Sequence, residues 1–319
     1  MRQIVKYGLL TPLRPFDLPN DWSGTERVDV EFAALDHAKR PLRSNSFVAQ
    51  EQAEQYAISV PSEARDVFIT RTVEGNCSTR IVVHVPPNSH LTITETIRGL
   101  GALISTTSIE IGRGAAVRYQ ILQHLDETSL AALDYEAIGN DCELHWLSCC
   151  LGANTTQLRV ATRAGHHMKV KNNSVIVGSR KQQFDVHVAT IHEGFGSHSD
   201  MLTRSVLDDE ARAIYHGDIV IGPDSPECDS YQKDEVILLG QRASADAIPN
   251  LVIQNNQVRC THGATIGKLD EEKLFYFRSR GIETHAAKQL LTEGFVLPLI
   301  PQTWHELIRE RISRYSQVE

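Results

Sequence analysis

With 319 residues, 41% of them apolar, the chain is long enough to bury the core of one large domain or two ordinary ones. Its 32 Lys and Arg against 40 Asp and Glu leave a net charge of −8 without a basic tail or stripe, which removes the electrostatic basis for a nucleic-acid partner. The first residues, MRQIVKYGLLTPLRPFDLP, lack an apolar core of signal-peptide length, and runs such as 236–239 are far too short to span a bilayer, so a cytoplasmic protein without membrane contact is expected.

In chain order, residues 1–77 read as an N-terminal arm, irregular around Pro12, Pro15 and Pro19, with one helix expected over 47–57. From Ser78 the pattern changes to short runs rich in Val, Ile, Leu and Thr, among them RIVVHV, LTITETI, AVRYQIL, ELHWLSCCL, FDVHVATI and AIYHGDIVI. Alternation and β-branching mark these as strands. Turn signals between them recur at Gly139, Gly152, Gly165 and Gly178, each 13 residues after the last. One strand plus one turn in 13 residues, and two of each in a repeat of ~27, is what a flattened two-sheet solenoid needs. An antiparallel sandwich, with turns every ~8–12 residues, is the structural alternative.

The expected solenoid core covers 78–266 and gives way to a helical region over 267–319. Asp270 is a suitable N-cap for a first helix, and Gly281 a suitable stop. A second helix is expected from a Thr284 cap to Gly294, and a third opens on a capping-box pattern, Thr303 with Glu306, carrying a stripe of Trp304, Leu307, Ile308, Ile312 and Tyr315. One role for these helices is to cap the exposed end of the solenoid.

No P-loop, no GxGxxG opening a helix and no GxSxG elbow occurs, so any nucleotide chemistry must come from a partner. Six cysteines without CxxC spacing argue against a disulfide framework and a closed zinc site, and most are expected to be buried small hydrophobes. Fourteen histidines are many for this length, but a lone strand histidine is more often a hydrogen-bonded residue than a ligand, and His166-His167 falls in a turn. Cys260 and His262 stand apart: in an extended strand residues i and i+2 share a face, so a thiol and an imidazole stand side by side. Two such donors suit iron, zinc or an iron–sulfur species but do not complete a tetrahedral site, and buried packing residues are the alternative reading.

The stretch HGATIGKLDEEKLFYFRSRGI, together with DDEARAIYHGDIVI, CDSYQ and ADAIPNLVIQNNQVRC, closely resembles the SufB/SufD family of the Suf iron–sulfur cluster assembly system; the resemblance covers about 78–297. It implies a right-handed parallel β-helix with helical terminal regions, in a mainly β protein. It further implies a non-catalytic scaffold that docks the SufC ATPase and pairs through its β-helix end with SufB or with a second copy of itself. On this resemblance the helices within 268–297 are the docking surface for SufC, with Leu274, Phe275, Phe277, Arg278, Leu290 and Leu291 as docking residues. His262 matches the family's motif histidine and Cys260 its motif cysteine, with Thr261 in place of the usual serine. Ala243 stands where SufB members carry a functional cysteine, and Gly263 where they carry a glutamate, which points to the SufD side. No tightly bound cofactor is implied, only a transient iron–sulfur cluster or iron at the partner interface. Two other readings remain at this stage: a β-helix enzyme acting on a polysaccharide, and a homologue that keeps the assembly surface alone.

Overall fold

The computed structural model describes residues 31–33, 54–62 and 64–314. Two short strands, β1 (Glu31–Ala33) and β2 (Glu54–Ser59), pair antiparallel; every later pairing is parallel. Two long strands follow, β3 (Asp66–Val85) and β4 (His90–Ile111). Then come β5 (Ala116–Leu125), β6 (Leu130–Gly139), β7 (Glu143–Cys150), β8 (Thr155–Ala164), β9 (Lys169–Gly178) and β10 (Gln183–His192). The series ends with β11 (His198–Leu207), β12 (Arg212–Ile221), β13 (Asp229–Leu238), β14 (Ser244–Ile253) and β15 (Arg259–Lys268).

From β5 onward each strand pairs with the next but one, so β5-β7-β9-β11-β13-β15 form one sheet and β6-β8-β10-β12-β14 the other. The chain is a parallel β-solenoid. β4 joins both sheets, its first half pairing with β5 and its second with β6. Glycines make that crossing possible: Gly99 and Gly101 have φ of 112° and 141°, and a Cβ on either would overlap the backbone of β3. One turn takes 26 residues from Glu143 to Lys169 but 32 from Arg212 to Ser244, which is why the glycine rhythm loosens toward the C-terminus.

The turn glycines serve close stacking rather than unusual dihedrals. A Cβ on Gly152 would overlap the Leu125 carbonyl of the turn below, whereas the positive φ of that turn falls on Ala153, at 63°. The His166-His167 pair belongs to the same stack: the Phe195 N–H donates to His166 Nδ1 at 3.1 Å, and His167 Nδ1 lies 3.1 Å from Asp141 Oδ1.

Between the sheets, inward side chains line up across turns. Tyr119, Tyr135 and Trp146 cluster with ring centroids 5.1–6.0 Å apart. Beneath them Arg71 and Glu95 form a fully buried ion pair at 2.5 Å; Tyr119 donates to Glu95 at 2.7 Å and Arg71 to Ser105 at 2.6 Å. Burial first, and Glu95 second, hold the Tyr119 phenol well above its ordinary pKa, so it stays a donor.

Three helices follow: α1 (Glu271–Ser279), α2 (Thr284–Val296) and α3 (His305–Ser313), with 3-10 turns at Leu297–Leu299 and Gln302–Trp304. They do not cap the solenoid end. The apolar runs of β7 and β9 are buried on both faces, so their outward residues need cover. Val296, Ile300, Trp304, Ile308 and Ile312 supply it, packing on outward Leu122, Leu147, Cys149, Val175, Val177 and Val206. Arg204 anchors the segment by donating to the Phe295 carbonyl at 2.7 Å and to Glu235 at 2.9 Å. Arg311 anchors α3 on Glu127 at 2.9 Å and Gln182 at 2.7 Å.

Several local expectations change. Strand structure starts upstream of residue 78, since β2 and the first half of β3 already stack on later turns. Residues 54–57 of the expected 47–57 helix are strand, because pairing of β2 with β3 overrides the helix-forming composition of EQYA; 47–53 lie outside the described residues. Asp270 caps α1 as expected, accepting from the N–H groups of Glu272 and Lys273. Helix α2 runs through Gly294 to bury Val296, and its N-cap is Glu283. The Thr303–Glu306 capping box does not form, because the Gln302–Trp304 turn feeds directly into α3; Tyr315 lies outside the described residues.

Candidate functional site

The solenoid is open at its C-terminal end. β14 pairs only with β12 and β15 only with β13, and no residue of either strand is fully buried. Positions that face the interior one turn earlier are uncovered here: Ile253 and Ile266 follow the inward column of Ile221 and Val236, yet each is 43% exposed. Pro249, which donates no ladder N–H, sits in the middle of the edge strand β14, where such a residue is tolerated.

Cys260 and His262 lie on β15 in register with Ser230 and Gln232, both buried and inward-facing. The two side chains therefore share the inward face, as strand alternation requires. Cys260 is half-buried against the core and burial, with Asp229 adding, raises its thiol pKa, so it is a protonated thiol at neutral pH; His262 is exposed because no further turn covers it. Among the described residues no group of three His, Cys, Asp or Glu side chains is placed to hold a metal ion. The pair thus offers two donors of a suitable kind and no closed site.

Beneath Cys260 lies a polar cluster that strand patterns do not reveal. His192, fully buried at the end of β10, has Nδ1 2.6 Å from Ser197 Oγ and Nε2 2.8 Å from Ser230 Oγ and 3.1 Å from Ser199 Oγ. Ser197 Oγ lies 3.3 Å from Cys228 Sγ, whose thiol donates to the Gly194 carbonyl at 3.4 Å. Burial, then His198, lowers the His192 pKa to about 4, so this is a neutral imidazole in a cage of hydroxyls. Ser230 links the cage to Cys260 on the neighbouring strand. The hints in sequence were Ser199 and Ser230 recurring at equivalent strand positions and the Cys-Asp-Ser run of CDSYQ.

The family model described as SUF system FeS cluster assembly, SufBD core domain, matches residues 68–295, more than two thirds of the chain. The chain belongs to the SufB/SufD family. It resembles the iron-sulfur cluster assembly protein SufD of Bacillus subtilis, 24% identical over 263 residues, which are 80% of this chain and 60% of that protein. It also resembles the SufD of Escherichia coli, 28% identical over 148 residues, 46% of this chain and 35% of that one. A SufBD family protein of Pyrococcus horikoshii is 27% identical over 209 residues, 65% of this chain and 46% of its own. The matches to these curated relatives thus span 35% to 60% of the relatives' length, and the chain is a SufD-like member of the family.

In this SufB/SufD chain the helical hairpin α1–α2 presents a second surface. Phe275 is 73% exposed and Leu290 48%, with Tyr276 beside them under the Arg280 guanidinium, 5.2 Å from its ring centroid. Arg278 is exposed, Phe277 and Leu291 are half-buried, and Leu274 is buried where α1 meets α2. Sequence reasoning missed Tyr276, which sits between two aromatic residues of the first helix. Among the described residues no helix is long and apolar enough to cross a membrane.

One interior group near the open end titrates in an accessible range. Asp234, buried and in register with Ala264 of β15, accepts from Gln232 Nε2 at 3.1 Å, and its pKa is raised by burial from 3.8 to about 6. The folded protein holds this proton more tightly than the unfolded chain. Its contribution to stability is therefore complete below the unfolded value and fades as pH rises through the folded one. Asp234→Asn is expected to match wild type near pH 4 and to exceed it by about 1–3 kcal/mol near pH 7.5. Urea denaturation of both proteins across that range is the measurement, and a constant difference would contradict the raised carboxyl. His192 acts in the opposite sense in both proteins, so the difference between the curves isolates Asp234.

Proposed function

We propose that this chain is a cytoplasmic, non-catalytic scaffold subunit in iron–sulfur cluster assembly. It closes its open solenoid end against a SufB-type subunit or a second copy of itself, and it carries a SufC-type ATPase on the α1–α2 hairpin. The observation that carries the reading is the uncovered end itself, where Cys260 and His262 project from the inward face of an edge strand beside exposed core-class residues. A ligand set of two is useful at such an edge, because an apposed chain supplies the rest. The nascent cluster is then a substrate held between subunits, with His262 as donor and Cys260, over the His192 hydroxyl cage, as its neighbour. The exposed Phe275, Tyr276 and Leu290, flanked by Arg278, suit a protein partner, since exposed aromatic and Arg residues anchor interfaces. Membership of the SufB/SufD family and relatives named SufD support the same reading.

The test combines co-purification with SufC and SufB and anaerobic reconstitution with iron and sulfide. His262→Ala is expected to keep the complex and to lower cluster yield at least tenfold. Equal yield removes the role given to His262, and failure of the intact chain to bind either folded partner overturns the scaffold reading.

A further inference from the structure

The outer face of the β5-β7-β9-β11-β13-β15 sheet is divided. Its downstream half is apolar and lies under the helices, while the upstream half is bare and forms a groove of about 710 Å³. That volume falls in the range of small-molecule sites. Arg118, His145 and Lys171 stand side by side on β5, β7 and β9 in direct register, so they are spaced by one strand each, roughly 5 Å, and the outer two by roughly 10 Å.

Many cations elsewhere on the solenoid are held in ion pairs. Arg159, Arg163, Arg204 and Arg212 each lie within 3.1 Å of a carboxylate on a neighbouring strand or the turn after it. Arg118 and Lys171 form no such ion pair among the described residues, although Asp200 follows Lys171 in register. Lys169 is held by Glu143 at 2.7 Å, while Arg65 and Asp66 close the groove at its upstream edge. Between the two free cations, His145 Nε2 lies 3.3 Å from Asn173 Nδ2; an amide N–H donating there places the imidazole proton on Nδ1. Burial, then repulsion from Arg118 and Lys171, lowers the His145 pKa to about 4, so the row holds two like charges flanking a neutral donor. Arg118 and Lys171, each without an ion-pair partner among the described residues, face one cavity, and a bound anion would relieve the repulsion between them.

We propose that this groove is a binding site for a small polyphosphate anion of about the length of a diphosphate, held between Arg118 and Lys171 with His145 donating to its centre. A single phosphate is shorter than the span between the outer cations, and a diphosphate with its bridging oxygen comes closer to it. The flexible Arg and Lys side chains close the remainder, with Arg supplying a forked donor and Lys a point charge. The site lies away from the open end and the α1–α2 hairpin, so it stands or falls independently of the scaffold reading.

Isothermal titration of the full chain at low ionic strength with inorganic pyrophosphate, ADP and orthophosphate tests it. Saturable binding of pyrophosphate or ADP at one site is expected, at least tenfold tighter than orthophosphate and weakened at least tenfold by Arg118→Gln with Lys171→Gln. Both substitutions are at exposed side chains, and an unchanged melting temperature confirms that the variant is folded. ADP binding more tightly than pyrophosphate identifies a nucleotide as the ligand; equal affinity identifies the diphosphate alone. Absence of saturable binding, affinity unaffected by the double substitution, or tighter binding of a polyglutamate peptide than of pyrophosphate overturns the proposal.

Discussion

Arg71→Met is expected to destabilise the protein by about 3–5 kcal/mol, because it leaves the Glu95 carboxylate charged and unpaired inside the solenoid. Both partners are buried, and Arg71 also donates to Ser105 and Thr107, so the substitution removes a guanidinium that satisfies several groups at once. The double variant Arg71→Met with Glu95→Gln is expected to recover most of the loss. The charge is then gone, and the Gln carbonyl still accepts from Tyr119, which lies 2.7 Å from the present carboxylate. Urea denaturation of the two single variants and the double variant forms a cycle, whose coupling energy measures the pair. Additive losses would show that the pair contributes little beyond the packing of its aliphatic parts.

The second large effect concerns the helical layer. Trp304 is nearly buried in the cluster that joins the C-terminal segment to the sheet, and Trp304→Ala is expected to cost about 3–5 kcal/mol. The loss is expected to fall unevenly. The solenoid interior has its own core, so the strands should keep their amide-exchange protection while α3, and with it α2, loses protection. Hydrogen exchange followed by mass spectrometry separates this outcome from uniform weakening, which would mean that the helices are integral to the solenoid's folding unit.

The solenoid was legible in the sequence because its two signals are local. Alternation in runs such as AVRYQIL and FDVHVATI reports a strand, and turn glycines 13 residues apart report the stacking of one turn on another. What failed to show depends on distant partners. EQYA favours a helix by composition and becomes strand because β3 offers it a ladder. Gly294 reads as a helix stop, but burial of Val296 two residues later carries the helix past it. The direction in which the helices pack was also hidden, since cover for the solenoid end and cover for a sheet face require the same apolar stripe.

The candidate site divides in the same way. The shared face of Cys260 and His262 follows from strand alternation alone. The hydroxyl cage beneath them does not, since His192, Ser197, Ser199, Cys228 and Ser230 come from three segments of the chain. Turn lengths that vary between 25 and 32 residues hide which of them meet. The bare basic row was hidden for a related reason: Arg118, His145 and Lys171 are ordinary single residues until register places them in one line.

The Arg204 anchor has a mechanical consequence. Arg204, Glu235 and Thr265 are register partners on β11, β13 and β15, so the carbonyl of Phe295 near the end of α2 is fastened only two strand spacings, roughly 10 Å, from the unpaired edge. A displacement of the helical hairpin is thus passed to the sheet beside its free rim, through the Arg204 guanidinium together with the apolar contacts of Val296.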